Sequence, residues 1–326
     1  MKQEMNRKFS LPAVVPVVLM GMAVVLPSPG ENANDSSPMS GLTHPVQRLD
    51  LSSYAEAPPA EPLRLLFIHH SCGGQLFASP GPDNGTNCIY SSSPNGGGLR
   101  SRLEKNSYEV HEASYASRIG QNTDIFDWLP KFREQMDQVL SCDFQDTGYT
   151  DGHRNQIVVF KSCFPNNNFE SAGTPPGNPR GPDLTVWNAK AAYAALLAEF
   201  RKHPEVLFVC VTAPPLAPKT PPQPAWKQLA KKALGRGDHR AATALLAREF
   251  NNWLAGRDGW LKDYPLTNVV VFDYFDILTG DGTSNLSRYP TGDGFDAHPS
   301  REGNELAAEA FVPFLNRAVR RAGLTH

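Results

Sequence analysis

From residue 63 onward, five short strand-like runs recur along the chain, most of them apolar, with stretches of helical period from the second run onward. They read Leu63–His69, a weaker Glu109–Ala113, Ile157–Phe160, Val206–Val211 and Val269–Phe275. Runs that are apolar throughout, rather than alternating with polar residues, belong to strands covered on both faces. Helical patterns lie between them: Ile125–Leu140 behind Asn122 and Thr123 as caps, Val186–Arg201, Ala241–Leu254, and a last amphipathic helix from about Arg301 to Ala322. In that helix Leu306, Ala310, Phe314 and Leu315 are expected on one face, with Ser300 as cap and Gly323 as terminator. Alternating buried strands and helices predict an α/β chain with a parallel sheet between helical layers.

The 326 residues carry 31 Lys+Arg against 33 Asp+Glu, a formal net charge of −2. That balance lacks the basic face that nucleic acid demands. Hydrophobic residues at 40% and charged residues at 20% set aside both a disordered chain and a multi-span membrane protein. With 26 Gly and 29 Pro the connections are long, and long connections carry binding and chemistry.

Residues 1–26 have the layout of a secretory signal peptide, with Lys2, Arg7 and Lys8 ahead of an apolar run from Leu11 to Leu26. An uncleaved N-terminal anchor is the alternative, and membrane contact is expected only in that case. Residues 27–62 are rich in Pro, Ser, Asn, Glu and Ala and read as a flexible linker, leaving 63–326 as the working domain. Export makes a secreted or periplasmic location the expectation, and allows the five cysteines up to two disulfides, with Cys210 in an apolar run as the natural odd one. No C-x-x-C occurs, and no metal or cofactor is expected.

In parallel sheets the working residues gather beyond the carboxyl ends of the strands. There this chain places His70-Ser71-Cys72-Gly73-Gly74, then Ser117 to Asn122, then Lys161 to Asn168, then Thr212-Ala213-Pro214-Pro215, and Asp293 to Pro299 just before the last helix. A serine hydroxyl becomes a nucleophile only when a histidine takes its proton, a carboxylate holds that histidine's tautomer, and donors face the oxygen that turns negative. Ser71, His298 and Asp296 match those roles, with the Ser71 N–H, the Gly120 N–H and the Asn166 amide as oxyanion donors.

The order of Ser71 after the first strand, Gly120 after the second, an Asn after the third and Asp-x-His-Pro before the last helix resembles the SGNH or GDSL hydrolase superfamily, over about Leu63 to Ala322. The resemblance implies a three-layer α/β/α, flavodoxin-like fold with a five-stranded parallel sheet in the order 2-1-3-4-5, and metal-free ester hydrolysis or acyl transfer. The usual Gly-Asp-Ser is replaced by His69-His70-Ser71, and the third block is longer than Gly-x-Asn-Asp, so that Asn168 competes with Asn166. Asp296 and His298 stand two apart, a spacing similar to that of the polysaccharide O-acetylation branch. Asp293 is the reserve carboxylate.

Other readings compete with these. Adjacent His69 and His70 point to opposite faces of a strand and do not share a metal, so at least one is structural. Cys72 and Cys163 rival Ser71 as nucleophiles but are better spent on burial or a mutual disulfide. Asp273, Asp276, Asp281 and Asp293 lack calcium-loop spacing and read as solvated loop carboxylates. The basic stretch from Lys227 to Arg248 reads as a solvated helix face. The Pro-rich loops Ala172–Pro182 and Ala213–Pro224 are expected to wall the site. The leading expectation is an exported serine esterase acting on acetyl esters of carbohydrate or another small ester. A polysaccharide O-acetyltransferase using the same residues, and a catalytically inactive carbohydrate-binding domain, are the rivals.

Overall fold

A computed structural model describes residues 46–220 and 239–325. The expected signal segment, the first part of the linker and most of the Lys227–Arg248 stretch lie outside the described residues. The central sheet has seven strands: β1 (Leu63–Ile68), β2 (Tyr108–Ala113), β3 (Cys142–Phe144), β4 (Thr147–Gly148), β5 (Ile157–Lys161), β6 (Leu207–Val211) and β7 (Val269–Phe272). They lie in the order β7-β6-β5-β1-β2-β3-β4. All neighbours are parallel except β3 and β4, which form an antiparallel hairpin at one edge. The expected five-stranded sheet is therefore extended by two short strands, whose residues carry too little apolar pattern to announce themselves.

Eight helices are described: α1 (Ser71–Phe77), α2 (Leu99–Glu104), α3 (Trp128–Glu134), α4 (Met136–Ser141), α5 (Val186–Phe200), α6 (Arg240–Ala255), α7 (Tyr274–Leu278) and α8 (Arg301–Arg321). Because side chains alternate along a strand, each central strand feeds two cores. Leu66, Ile68, Val158, Phe160 and Phe208 pack with Trp128, Phe132, Phe200 and Phe250 from α3, α5 and α6. Leu65, Phe67, Val159 and Val209 pack on the other face with Leu76, Leu103, Leu278, Phe311 and Leu315 from α1, α2, α7 and α8. The result is a three-layer α/β/α arrangement around a mainly parallel sheet.

Four local expectations need correction. The helix expected over Ile125–Leu140 is two helices, broken at Gln135, whose φ of −125° leaves the helical range. Neither Asn122 nor Thr123 caps it; Asp127 occupies that position without a side-chain capping bond, its carboxylate accepting the Asp124 N–H instead. The buried stripe of α8 is Ala307, Ala308, Phe311, Val312, Leu315, Ala318 and Val319, while Leu306 is 40% exposed. One helical position is worth 100°, so an error of one residue in phase carries Leu306 from core to solvent. Finally, residues 46–62 do not behave as a free linker. Leu51 is buried, Leu49 and Tyr54 pack against the second core, and Arg48 pairs with Asp273 and Asp276.

Candidate active site

The site forms at the carboxyl ends of β1, β2 and β5 and on the approach to α8. After β1 the chain passes through His70, in extended conformation, and turns at once into α1 with Ser71 as its first residue. The His70 carbonyl accepts the Gly73 N–H at 2.7 Å and the Gly74 N–H at 3.3 Å. Both glycines are needed for close approach: a Cβ at Gly73 would lie 2.4 Å from His69 Cβ, and one at Gly74 would lie 1.9 Å from the Cys88 carbonyl oxygen. Ser71, half-buried, opens this tight turn, and its N–H is a first-turn donor with no carbonyl of its own helix to meet.

His298 comes from the short strand Asp296–Pro299, paired antiparallel with Pro290–Thr291 and leading directly into α8. Ser300 caps α8 by accepting the Gly303 N–H. The Ser71 hydroxyl lies 3.2 Å from His298 Nε2, and His298 Nδ1 lies 2.7 Å from Asp296 Oδ1. The same carboxylate oxygen accepts the His298 backbone N–H at 3.0 Å, so Asp296 fixes ring and backbone together. With the proton held on Nδ1, Nε2 is free to accept from Ser71. Burial acts upward on the Asp296 carboxyl, but hydrogen bonds from the His298 backbone and ring outweigh it and hold the group below the usual carboxylate range. The Phe164 ring stands edge-on to the imidazole with centroids 5.1 Å apart. Asp293 is exposed, and its carbonyl accepts from Lys219 Nζ at 2.7 Å.

The expected oxyanion donors are placed differently from one another. The Gly120 N–H donates to Ser117 Oγ at 2.7 Å and is already satisfied, because the loop closes on itself around a glycine whose Cβ would lie 2.0 Å from the Ser114 carbonyl. Asn166 is buried. One amide hydrogen goes to Asp124 Oδ1 at 2.7 Å, its carbonyl accepts from the Ile125 N–H at 2.8 Å, and one amide hydrogen remains. Asn168 is exposed, and Asn167 donates to the Ala213 and Pro214 carbonyls.

Residues to which the sequence assigned no role in the site hold the second loop in place. The Gly120 carbonyl lies 2.8 Å from His70 Nε2, and Thr123 Oγ1 lies 3.0 Å from His70 Nδ1, so the ring beside Ser71 is bonded at both nitrogens. Tyr115 stacks on that ring with centroids 3.7 Å apart. Lys131, buried in α3, donates from Nζ to the Ile119 and Gln121 carbonyls at 2.6 Å each, straddling Gly120. From the other side the Asp146 carboxylate accepts the Arg118 and Ile119 N–H groups. Burial pushes the Lys131 ammonium down to about 8, against the opposing pull of Asp127 and Asp146. His69 is fully buried on the opposite side from His70, 2.8 Å from Glu112, which also pairs with Arg100. Burial pushes its imidazole down to about 3, so it serves the core as a neutral ring.

All five cysteines are free thiols, against the expectation of disulfides. Cys163 Sγ lies 3.6 Å from Ser71 Oγ and 3.4 Å from Lys161 Nζ. The acidic stretch also departs from expectation in part. Asp273 and Asp276 are drawn inward by guanidinium groups, Arg48 onto both and Arg248 onto Asp276 at 2.7 Å, whereas Asp281 and Asp293 are exposed. Among the described residues no group of three or more His, Cys, Asp or Glu is arranged to hold a metal ion, and no helix is long and apolar enough to cross a membrane.

No family model matches this chain, and no curated protein does. Solved structures do resemble it at low identity. A carbohydrate esterase family 2 enzyme with a carbohydrate-binding domain, from Corynascus thermopiles (Myceliophthora fergusii), is 16% identical, with 82% of this chain and 68% of that one covered and a TM-score of 0.39. An acetyl xylan esterase from Geobacillus stearothermophilus is 14% identical, with 83% of this chain and 98% of that one covered and a TM-score of 0.34.

Proposed function

We propose that the chain is a serine esterase that removes acetyl groups from carbohydrate or another small ester, in an exported location. The observation that carries this reading is the contact chain from Ser71 Oγ to His298 Nε2 to Asp296 Oδ1, at 3.2 and 2.7 Å, between segments 227 residues apart in sequence. Ser71 Oγ attacks the ester carbonyl while His298 Nε2 takes its proton, and Asp296 holds the imidazolium that forms. The Ser71 N–H and the remaining amide hydrogen of Asn166 are the donors assigned to the tetrahedral oxyanion. Gly120 N–H is left out of that set because Ser117 already occupies it. His298 then returns its proton to the leaving alcohol, and water repeats the sequence on the acyl-enzyme. Tyr115 and Phe295, 42% and 39% exposed beside His70 and Asp296, offer ring faces on which a sugar can rest.

The test is turnover of p-nitrophenyl acetate and acetate release from an acetylated polysaccharide by the purified chain, each with and without a free sugar acceptor. Acetate release that is indifferent to the acceptor supports hydrolysis. Acetylated acceptor as the main product supports transfer instead, and no turnover with no labelling by a fluorophosphonate probe supports a binding domain. The same assay examines the loop clamp. Lys131→Met is expected to lower kcat/KM by on the order of 10- to 100-fold, through misplacement of the Gly120 loop and the His70 ring. In the wild type the ammonium of Lys131 discharges as pH rises through about 8, so kcat/KM is expected to fall on that limb. Lys131→Arg, whose charge persists, is expected to move the limb to higher pH. An unchanged pH profile in Lys131→Arg contradicts the clamp.

A further inference from the structure

Lys161 ends β5, the strand next to β1, and is completely buried. Its ammonium touches the Ser162 carbonyl at 3.1 Å and Cys163 Sγ at 3.4 Å, and no carboxylate is among these partners. A buried cation without a counter-charge is strongly disfavoured, and a thiolate on Cys163 supplies that charge. The surroundings of the sulfur fit an anion. Lys161 faces it, and the hydroxyl of Ser71, the residue before Cys72, lies 3.6 Å away. The Cys72 hydrogen bond, followed by Lys161, overcomes burial and holds the Cys163 thiol well below the usual range, whereas burial drives Cys72 upward. The other buried thiols lack such company: burial pushes Cys142 up to about 12 and raises Cys210 further. Cys163 as a residue is half-buried, and its sulfur borders the site through the Ser71 hydroxyl.

We propose that Cys163 is a second reactive centre of the site, an anionic sulfur balanced by Lys161, which takes soft electrophiles and hydroperoxides with Cys72 as the resolving thiol, and that its modification silences Ser71. The last part rests on the esterase reading above. With a hydroperoxide, the Cys163 sulfur attacks the distal oxygen. The S–O bond forms as the O–O bond breaks, the sulfur is oxidised by two electrons, and the leaving oxygen departs as alkoxide or hydroxide and takes a proton from solvent. The Cys72 sulfur, giving up its proton, then attacks the sulfenic sulfur; the S–S bond forms, the S–O bond breaks and water leaves. Either product changes the ground beside Ser71, by filling the space next to its hydroxyl or by drawing away the residue that follows it.

The test treats the full chain with iodoacetamide at pH 6, where an ordinary thiol is well under about 1% ionised, and separately with hydrogen peroxide. Peptide mass spectrometry is the readout that needs no activity, and fluorophosphonate labelling reports on Ser71. Alkylation of Cys163 at least 10-fold faster than Cys88 is expected, together with a peroxide-formed Cys72–Cys163 link that dithiothreitol reverses and a parallel loss of Ser71 labelling. Lys161→Met is expected to slow the alkylation by 10-fold or more. Should that variant not fold, Cys72→Ser serves: peroxide is then expected to leave Cys163 as an unlinked sulfenic acid. Cys163 alkylation no faster than Cys88, or Ser71 labelling that persists on chains whose Cys163 is modified, overturns the proposal. Rapid Cys163 alkylation on a chain whose Ser71 never labels, even untreated, upholds the thiol and defeats the esterase reading.

Discussion

Replacing Ser71 by alanine is expected to lower kcat/KM for p-nitrophenyl acetate by on the order of 10⁴-fold or more and to abolish fluorophosphonate labelling. The fold has little reason to respond. Ser71 is half-buried at the first position of α1, and among the described residues its hydroxyl hydrogen-bonds with His298 Nε2 and Cys163 Sγ, so alanine leaves neither a large cavity nor a stranded buried donor. Far-ultraviolet circular dichroism and melting temperature should therefore match the wild type while activity vanishes. Asp296→Asn belongs to the same series, with a smaller loss on the order of 10²- to 10⁴-fold, since an amide can no longer hold His298 in the tautomer that leaves Nε2 free. An Asp296→Asn variant as active as wild type means the ring is oriented by something other than the carboxylate that touches it.

Phe132→Ala carries the largest expected effect on stability. Phe132 is 1% exposed at the centre of an aromatic cluster, with ring centroids 5.9 Å from Trp128, 5.2 Å from Phe160, 5.0 Å from Phe200 and 5.9 Å from Phe208. Truncation removes the edge-to-face contacts and leaves a void that strands and helices on two sides cannot both close. The expected loss is about 3–5 kcal/mol, a fall in melting temperature of roughly 5–15 °C, read by thermal unfolding. Because Phe160 precedes Lys161 on β5, the loosened strand end should also weaken the site, with activity falling at temperatures well below the new midpoint. A variant that melts with the wild type means that the helical layer does not depend on this ring.

The chemistry at the strand ends was legible because its pieces are local: a Ser-x-Gly-Gly turn after an apolar strand, and an Asp-x-His-Pro run before an amphipathic helix. What joins such pieces is not local. Lys161 is a single cation closing an otherwise apolar strand, and nothing in its neighbours says that its ammonium turns inward onto Cys163. Arg48 sits in a Pro-rich stretch that reads as linker, yet the two carboxylates it pairs with lie more than two hundred residues away. Gly120 reads as a free donor until the loop is closed and Ser117 is found on its N–H.

By itself the sequence determined the alternation of strands and helices, and with it the α/β class and the edge of the sheet where polar residues collect, because periodicity and turn chemistry are properties of a few consecutive residues. Tertiary structure alone decided the edge hairpin of β3 and β4, the inward face of α8, the pairing of Asp273 and Asp276 with arginines, and the company kept by Ser71. Those depend on strand register and helix phase, where a shift of one residue exchanges core for solvent and one partner for another.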